Sequence, residues 1–199
     1  MQRRAAVLVL AAAYALTWTG SALARGGTYV FDGGTPRQQA QVRVALDTSL
    51  FNWSIVPATI TIHLQKGSDT YATKGEIWVD TALLASGPFA WGPIQHEYAH
   101  QVDFFLLDDA QRTTLTTVLG ARLWSRSNVA GLHGPDHAFL GAERFASTLT
   151  WAYWPSPANS LKPTSSKDES AAMAPAQFRG LLSRLFGIPN PLPAVVSVG

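Results

Sequence analysis

Strand-like alternation in this chain is confined to residues 59–80, and every patterned segment beyond Pro93 reads as helix. Ile60, Ile62 and Leu64 occupy one face of a two-residue repeat, and Thr59, Thr61 and His63 occupy the other. Gly67-Ser68-Asp69 turns the chain, and Gly75 to Asp80 supplies a second strand. Ahead of these, Arg25 to Gly34 is an extended lead-in that ends in the turn Asp32-Gly33-Gly34. Thr35-Pro36 is a helix start, with Thr as N-cap and Pro at the first helical position. That helix runs to about Phe51 and buries Val42, Ala45, Leu46 and Leu50 at helical spacing. One helix, a few strands and then helices only is a segregated order. It predicts an α+β domain in which a small antiparallel sheet is followed by a helical part.

Within the helical part, one helix runs from Pro93 to about Leu107. Asp108-Asp109-Ala110-Gln111 has the form of a capping box and opens a second helix to about Leu123. Ser125 to Pro135 is a loop, and a third helix covers about Asp136 to Tyr153. Pro155 to Ala171, rich in Pro, Ser and Lys, reads as a surface loop. A last amphipathic helix spans Pro175 to Phe186 and ends at Gly187, and Pro191 to Gly199 is an extended tail.

The first 24 residues stand apart. Met1-Gln2-Arg3-Arg4, an apolar run from Ala5 to about Trp18, and Ala22-Leu23-Ala24 follow the order of a secretory signal peptide cut after Ala24. The apolar run is shorter than the roughly 20 residues that span a bilayer. The expectation is therefore a secreted chain, one domain over residues 25–199, with no stable membrane anchor after cleavage. Residues 1–24 carry two of the fifteen Lys and Arg and none of the thirteen acids, so the remainder holds thirteen of each sign. The basic character belongs to the leader, and nucleic-acid binding has no support. There is no Cys, so any metal must be held by His and carboxylates.

The segment with the clearest chemistry is His96-Glu97-Tyr98-Ala99-His100. Two histidines four residues apart on a helix lie one turn above the other, and both imidazoles can reach a single ion. Glu97 sits beside that face, placed to take a proton from a water activated by the ion without ligating it. A catalytic zinc site needs a third protein ligand and one open position. The longer metzincin pattern is excluded, because Asp103 and Leu106 stand where it needs Gly and His. His133, His137 and Glu143 remain as candidates for the third ligand.

His96-Glu97-Tyr98-Ala99-His100, followed by Ala142-Glu143-Arg144-Phe145-Ala146, resembles the gluzincin group of zinc peptidases over about residues 36–154. The resemblance implies Glu143 as third ligand on a glutamate helix, Zn2+ as cofactor and a peptide or protein as substrate. It also implies that the Gly75–Asp80 strand is the cleft edge that pairs with substrate. His133 or His137 would donate to the oxyanion, with Tyr153 as a weaker candidate. Asp103 could orient a ligand imidazole, and Trp91, Trp151 and Trp154 could line the cleft. The activity so implied is a secreted zinc endopeptidase with Glu97 as general base. The alternatives are a zinc-binding domain without turnover and a zinc amidase acting on a non-peptide or cell-wall amide.

Overall fold

The computed structural model describes residues 26–125 and 137–187; the leader and the C-terminal tail lie outside them. The chain folds as an α+β domain with a four-stranded sheet and five α-helices among the described residues. The strands are β1 (Tyr29–Gly33), β2 (Ile60–Gln65), β3 (Tyr71–Thr73) and β4 (Glu76–Asp80). The helices are α1 (Pro36–Asp47), α2 (Pro88–Leu106), α3 (Asp109–Val118), α4 (Gly141–Tyr153) and α5 (Pro175–Phe186).

The sheet is mixed rather than antiparallel, in the order β1-β2-β4-β3. β1 runs parallel to β2 and β2 parallel to β4, while β3 is antiparallel to β4. Alternation reports a strand but not its direction. The lead-in is a strand because α1 forms the crossover that two parallel neighbours require. After β2 the chain runs back as β3 along the outer edge, then reverses at Lys74-Gly75 and returns as β4 between the two. Gly75 takes φ +88 there, a conformation open to glycine at little cost. The strand expected at the edge is therefore interior, and β3 is the edge instead.

Ile60, Ile62 and Leu64 of β2 and Ile77 and Val79 of β4 face the core, against Val42, Ala45 and Leu46 of α1. Phe51, Trp53, Tyr98 and Tyr153 close one end of it, with ring centroids 4.8–5.3 Å apart along the chain of contacts. On the outer face, His63 stacks on Trp78 and bonds Asp32 at 2.7 Å, so it is held rather than merely solvated. Thr35 caps α1 as expected, in a capping box with Gln38, and the capping box expected at Asp108 also forms. α1 stops at Asp47, short of Phe51, because Thr48 and Ser49 turn their hydroxyls onto the backbone: Thr48 Oγ1 donates to the Ala45 carbonyl and Ser49 Oγ accepts from the Phe51 amide. α3 likewise ends early, at Val118, with Gly120 in the left-handed region just beyond.

α2 is the axis of the molecule, buried on all sides from Ile94 to Asp103. Its polar residues must therefore find partners. Gln95 donates to the Ala45 carbonyl at 2.8 Å and ties α2 to α1. Gln101 accepts from the Gly75 amide at 2.8 Å and donates to the carbonyls of Thr73 and Glu76. One amide thus staples the β3–β4 hairpin onto the helix. α2 starts at Pro88, five residues earlier than expected, so Pro93 lies inside it. A proline there leaves the Phe89 carbonyl without its helical donor. Ser160 Oγ supplies the replacement at 2.8 Å, approaching across Gly92, where any Cβ would collide with it.

Candidate metal centre

Helical periodicity brings His96 and His100 to one side of α2, and α4 crosses that side with Glu143 facing inward. His96 Nε2 lies 3.1 Å from His100 Nε2, and Glu143 Oε2 lies 3.0 Å and 3.4 Å from the two respectively. Nitrogen and oxygen ligands about 2.0–2.2 Å from a tetrahedral zinc stand about 3.3–3.5 Å from one another. Three donor atoms at these separations, all from residues largely out of solvent, fit a divalent cation such as zinc. The absence of any thiolate leaves histidine and carboxylate as the complete donor set.

The electrostatics follow from that packing. Burial works against ionisation of Glu143, but hydrogen bonds to His100 and His96, and their charges, outweigh it and hold the carboxyl far below its ordinary range. Burial alone would lower the His100 value; the bond to Glu143 and the charges of Glu143, Glu97 and Asp103 lift it to about 9. Glu97 goes the other way, because burial raises it against the opposing pull of His96 and His100. A carboxyl raised in this way takes up a proton more readily than one in water.

His137 reaches the same place from the 3-10 turn His137–Phe139 that precedes α4. Asp136, the expected helix start, lies outside the described residues; within them the turn comes first and the helix begins at Gly141. His137 Nε2 lies 3.2 Å from Glu143 Oε2, and Nδ1 lies 2.6 Å from Glu169 Oε1. The bond to Glu169 raises the His137 value, with burial opposing and the charges of Glu143 and Glu169 adding to it. His133 lies outside the described residues. Tyr153 is not in the centre; it is core, packed edge-on against Phe51. Trp91 pairs with Trp154 and donates to Gln41, and neither these two nor Trp151 lines the cleft. Asp103 does not orient an imidazole, because its carboxylate is taken by Arg112 at 2.8 Å and by Trp124 at 3.0 Å, which ties α2 to α3.

Two residues of the centre are missing from the reading of the sequence. Ser147, one turn along α4 from Glu143, places Oγ 3.0 Å from His96 Nδ1. Its signal was the four-residue spacing from Glu143, which puts both on one face. Glu169 receives Ser147 Oγ on Oε2 at 2.7 Å and had no comparable signal. It comes from the segment expected to be a plain surface loop. That segment instead buries Asn159 and Ser170 and carries a 3-10 turn, Glu169–Ala172, against α4.

The cleft above these groups has a volume of about 1190 Å³. His96, Glu97 and His100 line it, together with the edge strand from Tyr71 to Thr73 and with Arg112, Thr113 and Thr116 of α3. No family model, curated protein or solved structure matches the chain.

Proposed function

We propose that the protein is a secreted, zinc-dependent endopeptidase with a gluzincin-like centre. The observation that carries the reading is the placement of an un-ligating carboxylate, Glu97, between two histidines whose Nε2 atoms meet Glu143 at metal-ligand spacing in an open cleft. A purely structural site has no use for that carboxylate. Zinc in this donor set would act as a Lewis acid on a carbonyl and make water acidic near neutral pH.

The chain's own residues supply the rest. Glu97 accepts a proton from the attacking water and returns it to the leaving amine, a task suited to a carboxyl held above its usual range. His137, protonated on Nε2, donates to the oxygen that gains negative charge. Among the described residues β3 is paired on one side only, by β4, and its residues line the cleft. An extended peptide can add there as a further strand through main-chain hydrogen bonds. That edge favours a peptide over a compact non-peptide amide.

Glu97→Gln tests the assignment directly. The variant is expected to keep its zinc, measured by metal analysis, and to lose about 10²–10⁴-fold in kcat on a casein or peptide substrate. Zinc binding with no cleavage of a peptide library by the wild-type protein would favour a binding domain. Cleavage of a cell-wall amide but of no peptide would favour an amidase.

A further inference from the structure

We infer that Glu169 is a positioning residue that sets, with one oxygen each, the orientation of the metal-ligand His96 and of the oxyanion donor His137. The inference rests on the peptidase reading for the roles of the two histidines, but its geometry does not depend on turnover. Oε1 of Glu169 lies 2.6 Å from His137 Nδ1, and Oε2 accepts the Ser147 hydroxyl at 2.7 Å. Ser147 Oγ in turn lies 3.0 Å from His96 Nδ1.

Counting protons fixes the direction of every bond. An ionised carboxylate only accepts, so Ser147 must give its single proton to Glu169. The hydroxyl oxygen is then left to accept, and His96 must carry its proton on Nδ1. That tautomer leaves His96 Nε2 bare, as a metal ligand has to be. His137 likewise gives an Nδ1 proton to Glu169, and as an imidazolium it carries a second proton on Nε2, which is turned toward Glu143 and the cleft. Ser147 is buried and Glu169 mostly so, which protects both bonds from competing water. Glu169 is held in turn by the loop behind it. Asp168 accepts from the amides of Thr164 and Ser165, and Ser170 Oγ donates to the Leu161 carbonyl.

Glu169 also forms a donor group with His137 and Glu143 that could hold a cation of its own. The 2.6 Å contact between His137 and Glu169 is a hydrogen bond, closer than two ligands of one ion stand, and it favours the positioning role.

The test compares wild type with Ser147→Ala and Glu169→Gln, using zinc affinity and stoichiometry by chelator competition and imidazole N–H resonances of the metal-free protein by NMR. The amide of Gln can accept at one position only, so it must break at least one of the two arms. Wild type should bind one zinc and show both Nδ1–H signals. Ser147→Ala should bind zinc about 10–100-fold more weakly and keep the His137 signal. Glu169→Gln, a near-isosteric change that tests position without emptying the site, should lose the same factor in affinity, or the His137 signal, or both. Wild-type affinity together with an unmoved His137 signal in Glu169→Gln would overturn the inference. So would two zinc ions per wild-type chain with one lost in Glu169→Gln, which would make Glu169 a ligand. All of these readouts stand even if the protein cleaves no peptide, so failure of the activity and failure of this inference are separable.

Discussion

The centre is assembled from two regions built in opposite ways. α2 is regular, buried on every side, and its polar groups are answered by neighbours at each turn. The stretch from Ser156 to Ala172 is irregular and partly exposed, and it is shaped by its own side chains folding back on its backbone. In α2 the functional spacing is a property of the helix itself. In the irregular stretch, Glu169 reaches His137 and Ser147 only because the tertiary fold lays that segment on α4. A site can thus take its reactive atoms from a rigid element and their orientation from a locally wound one.

The contrast can be broken most strongly at Gln101. Gln101→Ala removes three hydrogen bonds to the hairpin and empties the space of a fully buried side chain, so denaturant unfolding should show a loss of about 2–4 kcal/mol.

Acidity separates the two regions next. His100 is raised above its unfolded value, so the stability it contributes is complete below about pH 6.5 and is lost as the pH climbs toward 9. Metal-free protein should therefore melt at lower temperature at pH 9 than at pH 6.5, by calorimetry, and zinc should abolish that dependence.

A smaller effect, about 1 kcal/mol, is expected for Ser160→Ala, which strips the Phe89 carbonyl of its donor. Pro93→Ala restores the missing helical N–H, so the double variant should be less damaged than the two single losses added together.

The smallest effect lies in the irregular stretch. Asp168 is held down at about 2 by the amides and hydroxyls of Thr164 and Ser165, so the contribution it makes is present above the normal carboxyl range and is lost as the pH falls through about 2. Asp168→Ala should speed amide exchange at Thr164 and Ser165 at neutral pH with little change in Tm. Exchange rates equal to wild type would show that the turn is held by something else.

The same division explains what could be read before the fold was known. His96, His100 and Glu143 were legible because each lies on a helix whose period sets its direction, and the caps at Thr35 and Asp108 because their bonds span three residues. The strand β2 was legible for the same reason. β1 and β3 were not: β3 has only three residues, and β1 reads as an extended lead-in until its pairing with β2 makes it a strand. Direction in the sheet depends on crossovers, which leave no trace in alternation. The start of α2 was misplaced because Pro93 looks like a boundary unless Ser160, 67 residues on, is known to stand beside it. Glu169 was invisible for a similar reason: its partners lie 22 and 32 residues away, across a segment with no period of its own.

Gln101 has one more consequence. It adjoins His100 in the chain and grips the carbonyl at the end of β3, so the edge strand and the metal-ligand helix share a common zero point. Residues of a chain added to that edge advance by about 3.4 Å each. For the peptidase proposed above, the point of cleavage would then be counted in whole residues from the staple, a fixed ruler rather than a choice made by a pocket. Shortening Gln101 to Asn would shift the ruler without touching any group proposed to carry out the reaction.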